Sequence, residues 1–118
     1  MSLIRTNDDF LMRLLSASAM RHRVIANNIA NSNTPGYRRN YVSFEDRLLD
    51  ELKSSKPEVN SIMPEVQEDH LTPTGFDGNN VSMEVEMNSL NENRIMYEMY
   101  SSILATKTEM LRASIQDR

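Results

Sequence analysis

The sequence predicts an all-α chain with two long terminal helices, packed as an antiparallel, coiled-coil-like pair and joined by a loop-rich middle segment with a short helix. Apolar residues recur at helical spacing near both ends of the chain. Pro57, Pro64, Pro73, Gly75 and Gly78 all fall between those two stretches. At 118 residues there is room for one domain. We therefore divide the chain into residues 1–36, 37–80 and 81–118, with both ends forming one assembly domain.

The first predicted helix runs from about Thr6 to Asn31, and Thr6 or Asn7 can cap its start. It must end before Pro35, because the residue that precedes a proline is pushed out of the α region. Pro35 and Gly36 suit the two central positions of a type II turn, the second of which needs a positive φ. A narrow stripe of residues recurs along this helix at steps of three and four. It comprises Leu11, Leu15, Ser18, His22, Ile25 and Ile29.

The middle segment changes character. Residues 37–42 favour an extended conformation, and residues 43–46 resemble a weak capping box that opens a short helix. In that helix Phe44, Leu48, Leu49 and Leu52 share a face. From Ser54 to Asn79 the composition predicts a flexible loop, with short extended pieces around residues 62–63 and 66.

The last predicted helix, from about Ser82 to Ile115, has no internal Gly or Pro, and Asn80 or Ser82 can cap it. Two neighbouring apolar rows follow it. The first is Met83, Leu90, Tyr97, Leu104 and Leu111, and the second includes Met96, Ile103 and Met110. Two rows make a face wider than one partner helix covers. We therefore expect the surplus apolar surface to pack against other chains, and the isolated chain to be partly ordered or to self-associate.

Several classes of function are not expected. The chain has no cysteine, and His22 and His70 lie in different segments without a further ligand nearby, so we expect no metal site. No carboxylate pair, nucleophile motif or glycine-rich phosphate loop is present, so we expect no catalytic residue and no cofactor. The net charge of −4 argues against a nucleic-acid partner, and we expect no small-molecule substrate. No cleavable signal peptide is evident at the N-terminus.

The most informative stretch runs from Ala26 to Tyr37 and reads Ala-Asn-Asn-Ile-Ala-Asn-Ser-Asn-Thr-Pro-Gly-Tyr. A turn explains the proline and glycine, but it does not explain four asparagines, which are poor helix formers. This stretch resembles the N-terminal signature of the bacterial flagellar rod and hook proteins. Residues 77–87 and 91–97 are similar to the C-terminal half of the proximal rod proteins, most of all to their B-type group.

The resemblance implies a structural subunit that polymerises through its terminal helices into the torque-transmitting rod of the flagellar basal body. Its implied partners are copies of itself, other rod proteins, the adaptor and ring junction at the base, and the type III export apparatus, which exports such subunits largely unfolded and without a cleaved signal. Phe44 and Leu48 fit an element that docks at the export gate. The expected subunit-interface residues are Asn27, Asn28, Ile29, Asn31, Pro35, Gly36, Tyr37, Met83, Leu90, Tyr97, Leu104 and Leu111.

Two alternatives stay open at this point. A C-type proximal rod protein shares the same motifs and differs in its position and neighbours. A cytosolic coiled-coil adaptor of an export system would share the long helices, but would not be found in purified basal bodies.

Overall fold

The computed structural model describes residues 2–116, and the surroundings of side chains from residue 9 onward. In chain order the elements are helix α1 (Ser2–Ala30), strand β1 (Asn40–Ser43), helix α2 (Glu45–Leu52), a 3-10 turn (Val59–Ser61), strand β2 (Glu65–Glu68) and helix α3 (Met83–Gln116). The molecule is elongated, with extents of 66 × 33 × 14 Å. Its long axis is set by the two terminal helices, since α3 alone has 34 residues and spans about 50 Å.

Helices α1 and α3 lie against each other in opposite directions. Asn28, near the end of α1, donates to Glu86 in the first turn of α3. Ser18, ten positions earlier along α1, accepts a hydrogen bond from Asn93, seven positions later along α3. Because α1 residue numbers fall as α3 residue numbers rise, the pair is antiparallel.

The prediction of an all-α chain is wrong, because β1 and β2 form a two-stranded antiparallel sheet in a fold that is otherwise mostly helical. Val42 lies opposite Val66, and the ladder continues outward with Asp69 N–H donating to Arg39 O at 2.9 Å. Every residue of β2 is exposed, and its sequence has no alternation of apolar and polar residues from which the strand could be recognised. The sequence predicted the two extended pieces separately. It did not predict their pairing, because that pairing joins residues distant in the chain, such as Val42 and Val66, which are 24 positions apart.

The predicted helix starts also need correction. Helix α1 begins at Ser2, so neither Thr6 nor Asn7 stands at its N-terminus. The capping box at residues 43–46 does not form, because Ser43 belongs to β1 and Phe44 occupies the N-cap position without a side-chain cap. Helix α3 is capped by Ser82, whose Oγ accepts from Val85 N–H at 3.5 Å.

The hydrophobic core lies between α1 and the middle segment. Ala17, Phe44 and Leu48 are buried, and four half-buried side chains pack around them: Phe10, Leu14, Val59 and Ile62. Leu49 and Leu52, which were predicted to share the apolar face of α2, are 56% and 50% exposed. The core is therefore small, and only one turn of α2 contributes to it. Among the described residues, no helix is both long enough and apolar enough to cross a lipid bilayer.

Candidate functional site

Asn28 is the centre of a polar junction where both terminal helices meet β1. Its side chain is fully buried, and its amide nitrogen donates to Asn40 O at 2.8 Å and to Glu86 Oε2 at 3.1 Å. Its amide oxygen accepts from Asn40 N–H at 2.9 Å and from the Tyr37 hydroxyl at 3.0 Å. All the hydrogen-bonding capacity of the amide is thus used inside the subunit. No apolar side chain of similar size could replace these four contacts.

Arg39 joins two carboxylates at this junction. Its Nε donates to Glu86 Oε1 at 2.6 Å, and its Nη1 donates to Asp69 Oδ2 at 2.9 Å. The Glu86 side chain has no exposed surface, and those of Asp69 and Arg39 are 9% and 20% exposed. A buried carboxylate is costly unless it is paired and hydrogen-bonded, and Arg39 and Asn28 together satisfy both oxygens of Glu86.

Asp69 is held in its charged form by several donors. The Thr72 hydroxyl and backbone N–H, the Arg39 guanidinium and the Leu71 N–H all donate to it, and these bonds hold the pKa of Asp69 well below its usual range. A lowered pKa in the folded state means that this carboxylate stabilises the fold above the unfolded value of about 4. That contribution is lost as the pH falls from about 4 towards the lowered pKa.

The turn after α1 has the geometry that the sequence predicts. Tyr37 N–H donates to Thr34 O at 3.2 Å, and Gly36 has a φ of +76°. The prediction of a type II turn with positive φ at Gly36 is therefore confirmed. A Cβ added at Gly36 would have no atom within 4 Å. The preference for glycine at this position therefore comes from the positive φ of the backbone and not from a lack of space for a Cβ. Gly36 N–H also donates to Asp77 O at 2.7 Å, which ties the turn to the segment before α3.

Two asparagines before α3 complete the junction. Asn79 donates to Asn31 O at 2.9 Å and to Thr34 O at 2.8 Å. Each of these carbonyls also accepts a backbone N–H within the turn, so Asn79 supplies a second hydrogen bond and ties the turn to the segment before α3. Asn80 accepts from Arg39 N–H at 2.6 Å and donates to Asp69 O at 3.0 Å. The sequence indicated a turn and a helix cap at residues 77–80, and the longer-range roles of Asn79 and Asn80 were missed.

The side of α3 that faces α1 is polar at its centre. Glu86, Asn93 and Tyr100 are spaced by seven residues and are 0%, 5% and 9% exposed. Asn93 donates to Ser18 O at 2.7 Å, and Ser18 itself is 1% exposed. The apolar rows expected at this seam lie beside it or point away from it. Hydrogen bonds, more than apolar burial, therefore fix the register of α3 on α1.

Comparison with known proteins places this architecture in a family. The sequence profile of the family described as "Flagella basal body rod protein" matches residues 9–38, which end just after the Pro35-Gly36 turn. The flagellar basal body rod protein FlgB of Borreliella burgdorferi is 30% identical over 116 residues, covering 82% of this chain and 86% of the relative. FlgB of Bacillus subtilis is 32% identical, covering 83% and 84%, and FlgB of Salmonella typhimurium is 23% identical, covering 91% of each.

The chain belongs to the FlgB family of flagellar basal body rod proteins. It is a structural subunit of the proximal rod, found in the basal body with other rod components. The sequence had left open a C-type proximal rod protein and a cytosolic coiled-coil adaptor, and the family match favours neither.

The rod-family signature divides between the interior and the surface of the subunit. Asn28 was predicted at the subunit interface, but its buried side chain has no surface to offer a neighbour. Ile29, Asn31 and Tyr37 are half-buried, and the Tyr37 hydroxyl donates to Asn28. Of the predicted interface residues in the signature, Asn27, Pro35 and Gly36 are exposed. Contact of the exposed members with another subunit stays a prediction.

The predicted interface residues of α3 lie along its outer edges. Met83, Tyr97 and Leu111 are 49%, 44% and 41% exposed, while Leu90 and Leu104 are half-buried. The predicted export-gate residues Phe44 and Leu48 instead lie in the hydrophobic core, at 1% and 5% exposed. Among the side chains of residues 9–116, no three of His, Asp or Glu come together in a way that could hold a metal ion.

We expect Arg39→Gln to destabilise the rod subunit by about 3–5 kcal/mol, because it leaves the buried Glu86 and the nearby Asp69 without a cation. Glu86→Gln should cost less, since it removes a buried charge and retains an oxygen for Asn28 or Arg39. Urea unfolding followed by circular dichroism, at concentrations where the chain is monomeric, measures both. Equal losses in the two variants would show that the charge of Glu86 does not matter.

Gly36→Val should abolish rod assembly and swimming, whereas Gly36→Asn should be milder because asparagine tolerates positive φ better than a β-branched residue. A Cβ at this position meets no atom within 4 Å, so the comparison tests the backbone requirement. Secretion of both variants should persist, because the turn matters only in the folded subunit. Motility assays and the amount of subunit in purified basal bodies provide the measurement. Equal motility of the two variants would contradict a role for the positive-φ turn.

Proposed function

We propose that the subunit is built into the rod through the apolar face of α3 that α1 leaves uncovered. We call this the outer face of α3 and define it by Met96, Met99, Ile103 and Met110, which are 40%, 44%, 40% and 67% exposed. Their spacings of three, four and seven residues place them on one side of the helix. The observation that carries the proposal is that α3 buries a polar row against α1 and exposes this apolar one.

The arrangement is reversed relative to a helix pair that is stable by itself. Such a pair buries its apolar stripe and exposes charge, because apolar burial contributes about 25 cal/mol per Å². Here Glu86 and Asn93 face the partner helix, while methionines face solvent. Methionine is unbranched and adapts its shape to an irregular neighbour. The outer face is therefore suited to several neighbouring helices that meet it at slightly different angles.

The proposed mechanism is assembly and load transfer. A contact between two different surfaces of one subunit, repeated without closing, produces a helical polymer. In this proposal residues 1–36 and 81–118 pack subunit against subunit, and residues 37–80 brace the helix pair from one side. The proposed partners are copies of this chain, other rod proteins, and the junction at the base of the rod.

Replacing Met99 and Ile103 together with Ser should leave the subunit folded and reduce its assembly, because both side chains lie outside the hydrophobic core. The matched control is Leu49→Ser with Leu52→Ser, which removes two apolar side chains of α2 that are slightly more exposed. Sedimentation velocity over a wide concentration range and the amount of subunit in purified basal bodies measure the effect. The proposal fails if the α3 double variant assembles as well as the α2 control.

Phe44 and Leu48 are proposed to serve export as well as folding. Both are buried against α1 in the folded subunit, so an export gate could contact them only while the chain is unfolded. Export of an unfolded chain and burial in the folded subunit are therefore compatible roles for the same side chains.

Phe44→Ala with Leu48→Ala should lower the secreted fraction of the subunit while its cytosolic level stays normal. The control is Ile62→Ala, which weakens the same core cluster but lies outside the element. Quantitative blotting of cell and culture fractions measures both. If the two variants are secreted equally, the element has only a structural role.

A further inference from the structure

The loop that precedes α3 presents two large apolar side chains to solvent. Leu71 and Phe76 have relative exposures of 95% and 114%, the highest among the large apolar residues with described side chains. Complete exposure of a phenyl ring gains nothing for the fold, and aromatic side chains are typical anchors of protein interfaces. Since α3 already offers a separate outer face, this loop is a second apolar surface of the subunit.

This loop, residues 69–79, is held in place by its own hydrogen bonds. Asp69 accepts from the backbone N–H groups of Leu71 and Thr72, at 2.9 and 3.0 Å. Gly75 N–H donates to Asn79 O at 2.9 Å, and Gly78 N–H donates to Gly75 O at 3.0 Å. Phe76 is thus carried on a closed turn whose position is set by the polar junction. Because the backbone that carries the ring is already fixed, the loop loses little backbone freedom on binding.

A groove that could accept such a side chain lies between α1 and α3. Its volume is about 390 Å³, and its walls include Ser18 and Ala19 of α1 and Asn93 and Tyr97 of α3. The groove exists because Ser18 and Ala19 are small where a helix seam would normally carry large apolar residues. The Asn93 amide does not fill the space, since it is drawn onto Ser18 O at 2.7 Å.

The charges around the two surfaces are complementary. Arg23 and Arg94 line the groove, and neither forms an ion pair with a carboxylate among residues 9–116. Asp77 directly follows Phe76 and is exposed. Its Oδ1 accepts from Asn79 N–H at 3.1 Å, and no cation contacts the carboxylate within the same range. A carboxylate carried beside the phenyl ring would meet two guanidinium groups at the groove.

We propose that Phe76 of one subunit inserts into the α1–α3 groove of a second copy of this chain, with Asp77 meeting Arg23 and Arg94. This inference rests on the proposed function, and it names a contact distinct from the outer face of α3. The ring does not occupy the groove of its own subunit, because it is fully exposed.

The two surfaces are displaced along the molecule. Asn93 and Tyr97 lie 10 and 14 residues after the start of α3, about 15–20 Å along the helix axis. The loop lies beside the start of α3, where Gly36 N–H donates to Asp77 O. Because the contact joins two different surfaces, a string of subunits keeps one loop and one groove free at its ends, and it grows as an open helical polymer unless the repeated rotation closes a ring.

Site-specific photo-cross-linking in flagellated cells that carry the variant as their only copy of this chain tests the contact. Phe76→p-benzoylphenylalanine retains the aromatic ring and adds a photoreactive group. After irradiation, mass spectrometry of purified basal bodies should find cross-links to residues 18–23 or 93–97 of a second copy. The same substitution at Leu49, which is also exposed but lies on α2, should give no cross-link to that groove.

Filling the groove provides a second, independent measurement. Ala19→Phe should reduce the amount of subunit in basal bodies by about tenfold or more, as expected for the loss of a buried aromatic anchor. Ala19→Ser, which leaves the groove open, should have little effect. Normal incorporation of Ala19→Phe would overturn the inference, even if the photoreactive variant itself failed to assemble.

The outcomes separate this inference from the proposed function. Basal bodies that contain the chain but show cross-links from residue 76 to other surfaces, to another protein or to nothing overturn only the inference. Absence of the wild-type chain from basal bodies would contradict the proposed function as well. Cross-links to the groove together with loss of incorporation in Ala19→Phe would support both.

Discussion

The buried ion pair between Arg39 and Glu86 is the interaction on which the rest of the structure depends. Arg39 stands immediately before β1, and Glu86 lies in the first turn of α3, so the pair fixes the sheet to the helix. Asn28 connects α1 to this ion pair through its bond to the second Glu86 oxygen. Asp69 connects the start of the loop before α3 through its ion pair with Arg39. Each partner satisfies a polar group that would be costly to bury unpaired. Removing Arg39 therefore leaves the buried carboxylate of Glu86 and the nearby Asp69 without a cation.

This junction gives two asparagines of the signature a structural role. The Asn31 side chain adds a second donor to Asn27 O, which already accepts the Asn31 N–H. An asparagine also offers a donor and an acceptor from one short side chain, which lets Asn28 bond β1 in both directions. Serine has too short a reach for these contacts, and a carboxylate would add to the negative charge of Glu86 and Asp69. The polar residues thus specify how the elements meet, while the small core supplies only part of the stability.

The sequence predicted those features that depend on neighbouring residues. Helical spacing placed α3 at residues 82–115, within one residue of its observed bounds at each end. Proline and glycine preferences predicted the positive φ at Gly36. The pairing of β1 with β2 and the burial of Glu86 could not be predicted in this way. Glu86 and Asn93 are buried through partners 58 and 75 residues away, and a hydropathy pattern assigns such polar residues to the surface. Phe44 was identified from the sequence, but its place in the core depends on Ala17 of a different segment.

The contact between the two positive-φ glycines has a mechanical consequence. A Cβ on Gly78 would lie 3.3 Å from the Gly36 Cα, so the segment that leaves α1 and the segment that enters α3 touch backbone to backbone. Side chains between two elements can change rotamer and absorb a small displacement, whereas peptide planes in direct contact cannot. In a subunit that carries load in a rotating shaft, a rotation of the segment that leaves α1 is therefore transmitted directly to the segment that enters α3. This crossing lies at the end of the helix pair where the polar junction also joins α1, β1 and α3.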